Sequence, residues 1–320
     1  MSLPDINTET TTLSVRRTPL WRNVLNYRFY YYLALPALVA FFIFSYVPMF
    51  GIIVAFKDVS PFSTVEDILF SPFVGFRWFL RFFRSHYFFQ IMRNTIWISF
   101  LQLAWGFPAP IILALLINEV RSRAFKRVVQ TISYLPHFLS MVVVAGLVMS
   151  LLTTQGGLVN QLLMALGREP RMFLGDPRAF RSVLVVTHLW QTVGWGSILY
   201  LAAIASIDQE QYEAAYIDGA GRFAQTLHIT LPGMANVVVI LFIFAVGNLL
   251  NAGFERILLL YSPSVYEVAD IIDTYVYRTG LIGMQYSFAA AVGLFKSVIA
   301  ATLLIGTNML AKRFDYTGIW

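Results

Sequence analysis

The residue types that do chemistry are few in this 320-residue chain, and they are spaced for binding rather than catalysis. His86, His137, His188 and His228 are scattered, with no HExxH or other paired spacing, so no metal site is expected. There is no GxSxG elbow and no GxxxxGK(S/T) phosphate loop. The nearest fragments, Gly219-Ala220-Gly221 and Gly293-Leu294-Phe295-Lys296-Ser297, lack the spacing. Without a cysteine, thiol chemistry and disulfides are excluded. The chain reads as non-catalytic and free of cofactors. If it works by ATP, another chain must bind the nucleotide.

What remains is a set of polar side chains inside apolar runs. Asn248, Asn251 and Glu255 stand at offsets of three and four, one face of a single helix. At about 1.5 Å per residue, Glu255 then lies roughly 30 Å from the start of that helix, with the asparagines nearer its middle. Lys296 is the only lysine or arginine deep in a run, roughly 13 Å from the nearer end. In depth, an asparagine of the preceding run or a group on another subunit suits it better as a partner than Glu255. Gln191, Trp195 and Tyr200, with Tyr134 and His137, add amides and aromatic faces that suit sugar rings and hydroxyls. Polar residues within spans are functional candidates by default, and these form the expected lining of a solute pathway. Interhelical hydrogen bonding competes for each of them.

The elements that must position them follow from composition. Hydrophobic residues make up 58% and charged residues 12% of the chain. A soluble chain carries about 25% charged residues. Six runs reach membrane-span length: Tyr30–Phe56, Ile91–Asn118, Val128–Leu152, Ser182–Ser206, Ala235–Tyr261 and Ser287–Leu310. Each is read as a helix, because backbone polar groups in lipid must be satisfied internally. The alternating ten-residue pattern of a membrane barrel is missing. The basic N-terminal stretch lacks a cleavage-site pattern, so the first span is the expected insertion signal.

An even number of spans puts both termini on one side. Basic residues divide evenly between the two faces. The short loop Glu119–Arg127, with Arg121, Arg123, Lys126 and Arg127, tips the termini toward the cytoplasm. The loop from Lys57 to Gln90 then reads as an outer amphipathic segment at the membrane surface. The loops 153–181 and 262–286 are too rich in patterned residues to be plain connectors. The outer face has slightly more bases than acids, a modest excess that suits an acidic solute. A binding protein or lipid headgroups would be served by the same charge.

The longest polar interruption of the second half runs from Glu213 to Pro232. It opens with helix formers, turns at Gly219 to Gly221, and resumes as a second amphipathic stretch closed by Pro232. Glu213-Ala214-Ala215, three residues, Gly219, nine residues, then Ile229-x-Leu231-Pro232 resembles the EAA loop of membrane subunits of binding-protein-dependent ABC importers. Asp218 before Gly219 extends the match as in the sugar-import branch. Tyr134-Leu135-Pro136, Leu189-Trp190-Gln191, Asn251-Ala252-Gly253-Phe254-Glu255 and the 269–275 stretch look like the maltose-type branch and its oligosaccharide (LplB-like) subgroup. The likeness covers roughly residues 30 to 313.

The resemblance implies an all-α polytopic membrane protein with the six-helix type I ABC importer permease fold, in a bacterial inner membrane. Residues 1–29 form a cytoplasmic N-terminal tail, 30–313 the permease domain with its coupling loop at 207–233, and 314–320 a C-terminal tail. It further implies a second homologous permease subunit (a heterodimer is expected), two ATPase subunits and a periplasmic solute-binding protein that delivers an oligosaccharide. Glu213, Ala214, Ala215, Asp218, Gly219, Ile229, Leu231 and Pro232 are the implied ATPase-coupling residues. ATP and magnesium belong to the partner. An ion-coupled secondary transporter is the rival reading, but internal repeats and acids deep in the bundle are not evident.

Overall fold

Long apolar runs with few breakers fold as helices, and the computed structural model, which describes residues 27–60, 62–314 and 318, is helical nearly throughout. Among the described residues strand pairing is limited to an isolated bridge between Lys57 and Phe73. Contacts divide the chain into two units, Met1–Ile52 and Ile53–Trp320. In the first, the described residues from Arg28 on are helical and none is buried. The terminal tails expected from the sequence lie largely outside the described residues.

Three helices are long and apolar enough to cross a membrane: α1 (Arg28–Phe56), α4 (Phe88–Glu119) and α15 (Tyr286–Arg313). Between α1 and α4 lie α2 (Val65–Phe70) and α3 (Arg77–Phe83). Two bent pairs also pass if each counts as one span: α5 (Arg123–Phe138) with α6 (Met141–Leu152), and α10 (Arg222–Gly233) with α11 (Ala235–Gly247). The 29-residue α8 (Pro177–Ala205) starts at Asp176, whose carboxylate accepts from the Arg178 N–H at 2.9 Å, with Pro177 in the first turn. Between α6 and α8 lies α7 (Leu158–Ala165), and after α8 comes α9 (Gln209–Ile217).

Two expected spans are not single helices. The third bends by 103° between Phe138 and Met141. There Leu135–Phe138 tightens into a 3₁₀ turn around Pro136, and the Ser140 hydroxyl caps a new helix by accepting from the Val143 N–H at 3.4 Å. The fifth ends at Gly247. Residues 248–253 leave the helix, Gly253 takes a left-handed φ of +84°, and α12 (Phe254–Leu260) starts anew. Asn248, Asn251 and Glu255 therefore do not share one helical stripe, and the 30 Å depth assigned to Glu255 does not hold.

Irregular backbone at membrane depth must be satisfied by protein. Helix α4 does this with a polar face that the sequence reading passed over. The Gln102 amide donates to the Ala252 carbonyl at 3.2 Å. The Asn94 amide donates to the carbonyls of Glu267 (2.9 Å) and Asp270 (3.1 Å), and its oxygen accepts from Arg181 at 2.9 Å. The Thr95 hydroxyl accepts from the Ile272 N–H at 3.0 Å. Around these bonds pack Ile98, Phe180, Leu184, Ile257 and Ile271. Replacing Asn94 by leucine unpairs one Arg181 Nη group, whose Nε still donates to the Val268 carbonyl at 3.1 Å, and two carbonyls, at a cost of about 2–3 kcal/mol. A clear fall in the thermal midpoint of the purified chain is the expected result, and an unchanged midpoint refutes this account.

The loop from Lys57 to Gln90 does not merely lie on a surface. Trp78 and Phe82 of α3 are buried against Phe288 and Val292 of α15, and the Trp78 indole donates to the Lys57 carbonyl at 2.9 Å. The 262–286 loop contains α13 (Tyr266–Ala269) and α14 (Ile272–Val276), the latter continuing as a wide turn through Ile282. It is pinned by an ion pair between Arg278 and buried Asp270, 2.6 Å apart. Burial opposes the charge on Arg278, and the Asp270 carboxylate more than reverses this, so its pKa lies above the usual guanidinium value.

Candidate functional site: an exposed hairpin and a polar cleft

The hairpin from Glu213 to Pro232 is built by local signals. Asp208 caps α9, its carboxylate accepting from the Glu210 N–H at 3.0 Å. The helix stops where Gly219 adopts a φ of +79°. There the Ala220 N–H reaches back to the Ala215 carbonyl at 2.9 Å and the Gly219 N–H to Tyr216 at 3.1 Å. A side chain at 219 would meet no neighbour, so the glycine is required by its backbone angle alone. The two arms are tied by a hydrogen bond between the Tyr212 hydroxyl and the buried Thr230 hydroxyl at 2.9 Å. The Gln225 amide donates to the Ala220 carbonyl at 3.0 Å.

Glu213, Ala214, Asp218, Gly219 and Pro232 are exposed, while Ala215, Ile229 and Leu231 are half-buried. The sequence reading missed the tip. Ile217 is 83% and Phe223 82% exposed, with Tyr216 close behind. Glu213 and Ile217 are four apart on α9, hence on one face. Apolar side chains held out on a capped, cross-tied hairpin need a partner surface. The polar motif residues drew the eye, and apolar residues between them are unremarkable in so greasy a chain.

The second feature is a cleft of about 270 Å³ lined by Ser99, Gln102, His188, Asn248 and Asn251. The Asn251 amide donates to the Asn248 side-chain oxygen at 3.1 Å. The Ser99 hydroxyl and His188 Nδ1 are buried without a hydrogen-bond partner among the described residues. Such orphans are rare enough to mark a place where a polar group is to be received. Nearby, Arg256 is buried and donates to Gln191 Oε1 at 3.1 Å. Arg256 was missed because a single helix 235–261 would have put it at an outer end, whereas the break at Gly253 turns it inward. Replacing Arg256 by alanine leaves the Gln191 oxygen unpaired, at a cost of about 1–3 kcal/mol. The Arg256→Ala midpoint should fall, while the Glu255→Ala midpoint stays within a degree or two.

The remaining pathway candidates scatter. His137 and Trp195 stack with ring centroids 4.6 Å apart and planes 3° apart, beside half-buried Tyr134. Tyr200 is only 3% exposed and packs with Ala114, Ile204 and Met234, apart from the residues that line the polar cleft. Glu255 is exposed on α12 and does not line the cleft. Within the chain Lys296 meets an acid rather than an asparagine: its Nζ lies 2.7 Å from both carboxylate oxygens of Asp273 on α14. Gly194 of α8 lies so close to the Ser133 carbonyl that no side chain fits there, which locks α5 to α8.

A capped hairpin with an outward apolar tip, next to a helical bundle with a polar interior, is the arrangement that the EAA resemblance implies. Residues 106–316 match the family described as binding-protein-dependent transport system inner membrane component. The chain belongs to this family. The permease is 46% identical over 290 residues to Protein LplB of Bacillus subtilis, covering 91% of this chain and 90% of that protein. It is 44% identical over 305 residues to the polygalacturonan/rhamnogalacturonan transport system permease protein YteP of the same organism, covering 95% and 94%. Its fold matches a chain of a bacterial ABC transporter involved in import of the acidic polysaccharide alginate, with a TM-score of 0.85 and 41% identity over 92% of this permease and 98% of that chain. A second structure of a bacterial alginate ABC transporter, in complex with an alginate pentasaccharide-bound periplasmic protein, matches with the same TM-score and 40% identity. The permease is thus a membrane subunit of an ABC importer with the type I fold.

Proposed function

We propose that this permease moves an acidic oligosaccharide, a uronic-acid polymer fragment, across a bacterial inner membrane by ATP-driven alternating access. The observation that carries the proposal is the 0.85 TM-score at 41% identity to the alginate importer chain, supported by the polygalacturonan and rhamnogalacturonan in the name of YteP. In this reading six spans cross the bilayer with both termini cytoplasmic. Helix α8 supplies the sixth, its 29 residues reaching about 43 Å against a hydrocarbon core of about 30 Å.

The domain runs from 30 to 313, and the hairpin within 207–233 docks on a separate ATPase. Glu213 meets a basic group there, and Ile217 and Phe223 fill its groove. A periplasmic protein delivers the solute, and a second, different permease subunit completes the translocation cavity. Asn248, Asn251, Gln191, His137 and Trp195 line this chain's half of the pathway, with the unpartnered Ser99 and His188 atoms offering hydrogen bonds to sugar hydroxyls. Lys296 is a structural cation.

Uptake by the assembled complex tests the solute class. Oligouronates should be taken up and neutral oligosaccharides of equal length should not. Selective uptake of the neutral sugars would overturn the assignment.

A further inference from the structure

A second, larger cleft lies between α6 and the loop-side half of α8, about 720 Å³ in volume and away from the polar cleft. Its walls are mostly apolar, with Leu147, Leu151, Val183 and Val186 among them and the hydroxyls of Ser150, Ser182 and Thr187 between, and it runs from Arg171 and Arg178 at one end to Trp190 at the other. The side chains of Arg171 and Arg178 are exposed and take no hydrogen bond or ion pair among the described residues. Asp176 between them is turned to the helix start, where it caps α8. From Arg178 to Trp190 the helix rises about 18 Å, against about 15 Å for half of a bilayer's hydrocarbon core. Two free guanidinium groups at one end and one leaflet's depth of apolar wall below them match one kind of molecule.

We propose that this cleft holds an anionic glycerophospholipid, its phosphate between Arg171 and Arg178 and an acyl chain along Val183 and Val186 toward Trp190. An oligosaccharide fits poorly, because its many hydroxyls would meet only the few hydroxyls of Ser150, Ser182 and Thr187 along a wall otherwise of leucine, valine and aromatic side chains. A zwitterionic lipid would fill the groove but leave its positive headgroup beside two arginines. The inference rests on α8 being a membrane crossing.

Native mass spectrometry of the detergent-purified, delipidated complex, supplied with phosphatidylglycerol or phosphatidylcholine of equal chain length, tests it. Phosphatidylglycerol should be retained preferentially. Basic residues near a membrane surface contribute about 1 kcal/mol each, so R171Q and R178Q should each weaken retention about fivefold and the double variant about 25-fold. R168Q, in the same loop but off the cleft, should leave it unchanged, and V186W, which fills the groove, should abolish it. A photocrosslinker at Val186 separates the premises. Labelling of both lipids with no effect of the arginines leaves α8 in the bilayer and overturns the headgroup site. Labelling of the second membrane subunit instead overturns the lipid occupant, and labelling of neither overturns α8 as a crossing.

Discussion

Gly219→Val should cut solute-stimulated ATP hydrolysis and uptake about tenfold or more while leaving the amount of permease in the membrane unchanged. The reason lies in one backbone angle. At a φ of +79° an L-residue is opposed by its own Cβ at a cost of about 1–2 kcal/mol, and a β-branched side chain raises that further. No neighbouring atom lies within 4 Å of the position a Cβ would take, so no packing loss is mixed into the effect. The strain is relieved by opening the turn, which moves Phe223 and the second arm away from Ile217 and the first. A partner groove shaped for the closed hairpin then binds a minor population. Gly219→Asn is the control, since asparagine tolerates the left-handed region, and it should keep most of the activity. Co-purification of the ATPase subunit should follow the same order. Equal activity of the two variants would remove the turn from the coupling mechanism.

The other large effect belongs to Lys296. Its side chain is 17% exposed and that of Asp273 is 24% exposed, so each ion is largely withdrawn from solvent and relies on the other. Removing one partner of such a buried pair costs about 3–5 kcal/mol, and the upper part of that range is lowered here by the residual exposure. Lys296→Met should therefore lower the thermal midpoint of the complex by roughly 5–10 °C. The double substitution Lys296→Met with Asp273→Leu removes both charges and should restore at least half of the loss. Transport separates the two readings of this lysine. If it only ties α15 to α14, the double variant carries solute normally. A stable double variant that no longer transports would return Lys296 to the solute pathway.

The 213–232 hairpin was legible in the sequence because all of its determinants are local. A capping aspartate, helix formers, a glycine at the left-handed turn and a closing proline act within a few residues of one another, and the structure places each where its type requires. The pathway residues were less legible. Asn248 and Asn251 do face a cleft, but beside His188 and Gln102 rather than in a stripe with Glu255. The stop signals in 248–253, two asparagines and a glycine, do not decide the break by themselves, since glycine is also frequent within membrane helices. The break is supported from afar, with Gln102, 150 positions away, satisfying the Ala252 carbonyl.

The same division holds for the whole chain. Membrane character, helical class and the 213–232 hairpin follow from composition and short-range spacing, because hydrophobic length and backbone angles are properties of contiguous residues. Which charges pair, which aromatics are buried and where spans bend depend on contacts across the bundle. Lys296 finds Asp273, Arg256 turns to Gln191, and Tyr200 is sealed in the core. A buried polar group takes whatever partner the packing brings within about 3 Å, and linear spacing carries no record of that distance.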